Sequence, residues 1–186
     1  MTLYNGLIGL FWLLFILVWA VSAMSVKKGT SGGSGIGWRI AAALIIFWIF
    51  KAGIYRSLAS YDAVIEGNPS IHLVGVIVTG FGIAFAIWAR LYLGKNWGMP
   101  MSVKEDPALV TKGPYAYVRH PIYFGILTAM LGSALASSVV WIIIMAFAAA
   151  YFVKSAKKEE QHLSKEFADR YEAYKKRTKM LIPFVY

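Results

Sequence analysis

The sequence predicts an all-α, polytopic membrane protein of about five transmembrane helices, the last two forming a helical hairpin, with a cytoplasmic amphipathic helix towards the C-terminal end. Three observations carry that prediction. Of 186 residues, 59% are hydrophobic, and mean hydropathy is +0.59, where a soluble domain uses roughly 45–50% apolar residues. The apolar residues fall into long runs almost free of charge. The basic residues gather on the loops of one face.

The first run, Leu3 to Met24, contains no charge and is long enough to cross ~30 Å of hydrocarbon at ~1.5 Å per residue. A cleaved leader has basic residues ahead of a shorter apolar core, so the run is expected to be a retained span. Lys27, Lys28 and the Gly/Ser stretch Gly29–Gly37 follow as a loop. The second run is Trp38 to Leu58, with Lys51 able to snorkel to the interface and Tyr55, Arg56 and Tyr61 fitting an interfacial belt. After the polar stretch Asp62–Pro69 comes the third run, Ile71 to Leu93, rich in the Gly and Ala that allow close helix packing, with Arg90 and Tyr92 near its end.

Gly94 to His120 is the longest polar connection. The next 33 residues, Pro121 to Val153, are apolar but interrupted at Ala136-Ser137-Ser138. One helix of that length would rise ~50 Å, well beyond the hydrocarbon core, so two short helices joined by a tight turn fit better. From Lys154, positions Glu160, Leu163, Phe167, Tyr171 and Tyr174 recur at helical spacing among charged residues, predicting an amphipathic helix that ends near Arg177. Tyr171 and Tyr174 read as packing residues. The apolar tail Leu181–Tyr186 is too short to span and must pack on something. The whole, 1–186, reads as one membrane domain, with three N-terminal spans in 1–93 and a ligand-binding region in 94–186.

Charge sets the expected orientation. With five spans, one face receives the loop after span one, the long connection and the C-terminal region, and these with Arg90 and with Arg39 at the start of the second run hold 17 of the 19 basic residues. The positive-inside rule puts that face in the cytoplasm and the N-terminus outside. The net charge of +10 is thereby accounted for at the membrane, through anionic lipid headgroups. No nucleic-acid partner is expected. The absence of cysteine excludes disulfides, thiolate zinc sites and a cysteine nucleophile, and no metal is expected.

The chemistry concentrates in Leu109–Gly125, which holds a Gly113-Pro114 turn, Tyr115 and Tyr117, then Arg119-His120 directly before Pro121. Proline favours the first turn of a helix, so Arg119 and His120 stand at a helix N-terminus, where an anion is favoured. Tyr123 lies one turn inside. Lys157-Lys158-Glu159-Glu160 leaves the far end of the apolar stretch. An antiparallel hairpin returns those carboxylates to Arg119 and His120, beside apolar residues, which suits a zwitterionic, partly apolar ligand. Taken singly, Lys112 and Arg119 also read as membrane anchors, His120 as a cap and Glu159-Glu160 as a solvated run.

Leu109–Gly125 resembles the Arg-His-Pro-x-Tyr-x-Gly signature of the isoprenylcysteine carboxyl methyltransferase family and its phospholipid methyltransferase relatives. Glu159, Glu160, Leu163, Phe167, Tyr171, Tyr174, Lys175, Lys176, Arg177, Pro183 and Phe184 are similar to that family's C-terminal pattern, so the resemblance runs from Leu91 to the end. The family often has a proline soon after the second arginine, where this chain has Thr178-Lys179. The resemblance implies an enzyme that uses S-adenosylmethionine to methylate a lipophilic small molecule or lipidated substrate in contact with membrane lipids. It implies a cofactor pocket of Lys112, Tyr115, Tyr117, Arg119, His120, Pro121, Tyr123, Glu159 and Glu160, with Phe184 in a closing tail. Arg177, whose planar fork suits a carboxylate or phosphate, is expected to orient the acceptor. Glu160 or His120 would take a proton from an amine acceptor. A carboxylate acceptor is favoured. The alternatives are phospholipid N-methylation, an NADPH-dependent sterol or enone reductase (against which the acid pair argues) and a non-catalytic accessory protein.

Overall fold

The computed structural model describes residues 3–23, 29–30, 68–94, 103–104, 108–138 and 140–186. Four helices make up these residues: α1 (Leu3–Ala23), α2 (Pro69–Leu93), α3 (Pro121–Ala136) and α4 (Val140–Arg177), with a 3₁₀ turn at Gly113–Ala116. Three of them, α1, α2 and α4, are long and apolar enough to cross a membrane, and α3, at 16 residues, is shorter than the ~20 residues of an upright span. The protein is an integral membrane protein. The expected second span, Trp38–Leu58, lies outside the described residues. Two short strands, Gly29–Thr30 and Val103–Lys104, pair antiparallel, joining the segment after α1 to the long connection after α2.

Helices α1 and α2 run parallel. Tyr4 stacks on His72 near their starts, with ring centroids 5.0 Å apart, and Arg90 donates from Nη2 to the Ser22 carbonyl at 2.7 Å near their ends. Arg90 is buried, 1% exposed, and ties the two helices together. Trp12 of α1 reaches across to α3, where its Nε1 donates to Ser133 Oγ at 3.0 Å.

Helices α2 and α3 are antiparallel and closely apposed, and small residues make that possible. Gly75, Thr79, Gly82 and Ala86 face Ala136, Gly132, Ala129 and Gly125. A Cβ on Gly82 would lie 2.4 Å from the Ala129 backbone nitrogen. With apolar lipid as the competing solvent, such backbone approach is how helices gain dispersion energy. The same contact holds polar groups in pairs: Thr79 Oγ1 donates to Gly75 O at 2.9 Å, and His72 Nδ1 donates to Ala136 O at 2.9 Å.

The break expected at Ala136–Ser138 is present, and Ser138 Oγ accepts from the Val140 amide at 3.3 Å to start α4. The second hairpin arm differs from expectation in one respect. It does not stop at Val153 but continues through Lys154 into the polar segment as one 38-residue helix, which at ~1.5 Å per residue exceeds the hydrocarbon thickness. The helical path breaks instead at Ala168, with φ 37°. Alanine is a strong helix former, so composition gave no sign of this break.

Candidate functional site

Pro121 opens α3 at its first position, and its ring fixes φ there. This holds Arg119 and His120 just ahead of the helix. The segment is also held from the other side. The Arg119 amide donates to Lys179 O at 2.8 Å and the His120 amide to Met180 O at 3.0 Å, and Val118 forms a parallel bridge with Lys179. The chain just beyond α4 thus runs as a strap alongside the residues that precede α3.

The antiparallel hairpin brings the Arg119-His120 and Glu159-Glu160 pairs together. Arg119 Nε donates to Glu160 Oε1 at 2.6 Å. Its Nη1 donates to Lys175 O at 3.4 Å and to Thr178 O. The Tyr123 hydroxyl donates to Glu159 Oε1 at 2.6 Å. His120 lies between the two acids, with Nδ1 3.4 Å from Glu159 Oε2 and Nε2 3.4 Å from Glu160 Oε1. Its Nε2 makes no well-directed hydrogen bond. The adjacent carboxylates therefore divide: Glu160 is taken up by Arg119, whereas Glu159 keeps more side-chain exposure, 27% against 13%.

Aromatic and apolar groups complete the surroundings. The His120 ring stacks on Tyr123 at 5.4 Å, and Tyr123 stacks on Phe152 at 4.4 Å. Met180 and Leu181 pack with Tyr123 and Ala156 into one buried cluster. Burial alone would push the His120 pKa down, but hydrogen bonding and charge from Glu159 and Glu160 outweigh it and raise the pKa above its usual value. Glu160 lies well past the apolar stretch of α4. Burial pushes its pKa up, but His120 and Arg119 outweigh that and hold it below the usual carboxylate range. The arrangement is an acid pair, a cation and a flat aromatic stack beside an apolar wall.

The sequence profile described as phospholipid methyltransferase matches residues 70–170, just over half of the chain and containing both Arg119-His120 and the acid pair. The chain belongs to the phospholipid methyltransferase family. It is 36% identical over 83 residues to a protein-S-isoprenylcysteine O-methyltransferase of Schizosaccharomyces pombe, covering 44% of this chain and 35% of that protein. It is 27% identical over 145 residues to the nickel-cobalt-cadmium resistance protein NccN of Alcaligenes xylosoxydans xylosoxydans, covering 72% of this chain and 64% of that protein. The chain thus spans about a third of one relative and just under two thirds of the other.

The residues expected to line a pocket in this family member do not all meet. Arg119, His120, Tyr123, Glu159 and Glu160 form one cluster, with Pro121 buried beneath it. Tyr115 is buried and hydrogen-bonds outside the cluster, donating to Ala89 O at 3.4 Å while its own carbonyl accepts from Tyr174 at 2.6 Å. It braces α2 against the end of α4. Lys112 and Tyr117 are exposed, as is Arg177 at the end of α4. The tail packs through Met180 and Leu181, whereas Phe184 is 81% exposed. Sequence reasoning missed Phe152, which nothing distinguished from its apolar neighbours, and the Thr178 and Met180 carbonyls, which carry no side-chain signal.

Proposed function

We propose that this protein transfers a methyl group from S-adenosylmethionine to a lipophilic, membrane-embedded acceptor, at a carboxylate. The observation that carries the reading is the convergence of His120, Tyr123 and Glu159 next to Phe152, Met180 and Leu181. The donor molecule fits these groups. It carries an ammonium and a sulfonium, and Glu159 offers a carboxylate whose side chain is 27% exposed. It carries hydrogen-bonding groups, and His120 Nε2 lacks a directed partner. When bound, S-adenosylmethionine supplies an electrophilic methyl group. Family membership favours methyl transfer over the reductase reading, and the isoprenylcysteine O-methyltransferase relative favours a carboxylate acceptor.

In this reading Glu159 binds the cationic amine, with Tyr123 and His120 fixing its two oxygens. The His120–Tyr123–Phe152 stack gives a flat wall, and Met180 and Leu181 exclude water. Exclusion matters because opposite charges of acceptor carboxylate and donor cancel as the methyl moves, and a low dielectric then disfavours the separated reactants. Positioning the two partners supplies several kcal/mol of the barrier. Arg177 is free to orient the acceptor carboxylate with its fork, Lys112 and Tyr117 stand exposed at the rim, and Phe184 closes over the bound ligand. A carboxylate acceptor needs no base, whereas an amine acceptor would call on Glu160 or His120.

The orientation in this reading follows the charge split, with the N-terminus outside and the site facing the cytoplasm. The test is incubation of purified protein with lipid extract and methyl-labelled S-adenosylmethionine. Label released as methanol by mild alkali marks a methyl ester and supports the reading. Alkali-stable label in an amine headgroup would replace the carboxylate by phospholipid N-methylation, and no transfer from any extract would contradict methyltransferase function.

A further inference from the structure

Arg119 is a heavily committed cation. Its Nε is held by Glu160 at 2.6 Å, and its Nη1 faces the carbonyls of Lys175 and Thr178. Its amide is held by Lys179 at 2.8 Å. Its side chain is only 11% exposed. Lys175 lies in the last turn of α4 and Thr178 directly follows the helix, where final carbonyls lack intrahelical partners and the helix dipole has its negative end. A guanidinium there caps the helix from outside its own sequence. Thr178 Oγ1 adds a second cap by donating to Tyr174 O at 2.8 Å.

The consequence lies one step further along the chain. Directly after the capped end come Met180 and Leu181, 8% and 3% exposed, packed against Tyr123 and Ala156. The tail then folds on itself, with the Leu181 and Ile182 amides donating to Tyr186 O at 2.7 and 2.6 Å. The apolar wall beside Tyr123 and Glu159 is thus placed by a segment whose root is fastened by Arg119.

We infer that Arg119 is a positioning residue that latches the Thr178–Tyr186 strap over the site, and that it does not itself bind the methyl donor. The inference rests on the methyl-donor reading of the site for its effect on binding, but the latch itself does not. Its Nε and Nη1 are held by Glu160 and by the Lys175 and Thr178 carbonyls, so Glu159, fixed by Tyr123 and His120, faces the ligand while the Arg119–Glu160 pair faces the strap. The strap is joined to the rest by two backbone hydrogen bonds, the Thr178 hydroxyl on Tyr174 O, the Arg119 guanidinium and two apolar side chains, so loosening the guanidinium's hold opens the wall without removing any ligand contact.

Two measurements on the full chain test this. In hydrogen exchange without ligand, Arg119→Ala should raise exchange across residues 178–186 and at the His120 amide by about tenfold or more, with Arg119→Lys restoring part of the protection because it can satisfy one carbonyl but not form the fork. Unchanged protection in Arg119→Ala would overturn the latch. In S-adenosylhomocysteine titrations, Arg119→Ala and the paired substitution Met180→Ala with Leu181→Ala should each weaken binding about tenfold, and all three together should lose little more than either, because they break one device. A combined loss of about a hundredfold would mean that Arg119 contacts the ligand independently and would overturn the inference. Failure of the wild-type protein to bind would contradict the methyl-donor reading, and the exchange result would still decide the latch.

Discussion

His120 lies between two carboxylates, each 3.4 Å from one of its nitrogens, and its response to pH follows from that position. Its pKa is raised in the folded protein, so its contribution to stability is full below its ordinary value of 6.5 and is lost as pH rises through the raised value. Glu160 behaves oppositely: its pKa is lowered, so its contribution is present above its ordinary 4.5 and is lost as pH falls through the lowered value. The cluster therefore stabilises the fold most between these two ordinary values. Thermal unfolding of purified protein should show midpoints that fall as pH rises above the upper value, and His120→Gln should flatten that fall. An equally steep decline in the variant would mean that other groups govern it. That Arg119 and His120 meet Glu159 and Glu160 could be read from sequence, because an antiparallel hairpin leaves few other places for its ends. That Arg119 spends its donors on carbonyls could not, because every residue has a carbonyl.

At the scale of elements, α2 and α3 depend on having no side chain where they cross. Gly82 faces Ala129 N at 2.4 Å from a notional Cβ, whereas Gly6 and Gly9 of α1 have open space at that position. Gly82→Val should cost about 1–3 kcal/mol or more through forced separation of the helices. Gly9→Ala should cost nothing measurable or stabilise slightly, since alanine is the better helix former. Thermal melts of the two variants check this, and equal melting points would contradict the packing. The helices themselves were legible because long uncharged runs have one physical use, and Ala136–Ser138 was legible as a break because the run is otherwise too long. The uninterrupted passage of α4 through Lys154 was not, because a change of solvent from lipid to water alters the residues a helix prefers without ending it. Nor was the tail's choice of Met180 and Leu181 over Phe184 for burial, which depends on where α4 ends.

For the whole molecule, parallel α1 and α2 put Ser22 and Arg90 at one end of the structure, and α3, antiparallel to α2, returns the start of its own helix and the site cluster to that end. A lipophilic acceptor entering from the bilayer and a water-soluble donor entering from the cytoplasm would meet there. Because the chain has no cysteine, single substitutions report the sidedness directly. Ser70→Cys should react with a membrane-impermeant maleimide in intact cells, and Lys176→Cys only after permeabilisation; the reverse pattern would invert the orientation. The account stands or falls on whether His120 and Glu159, with Glu160 holding His120 and Arg119 in place, hold the donor. Calorimetric titration of the purified protein with S-adenosylhomocysteine decides it. Saturable binding by the wild-type protein, weakened at least about tenfold by His120→Ala and by Glu160→Ala, is the predicted result. Wild-type affinity in both variants would contradict it.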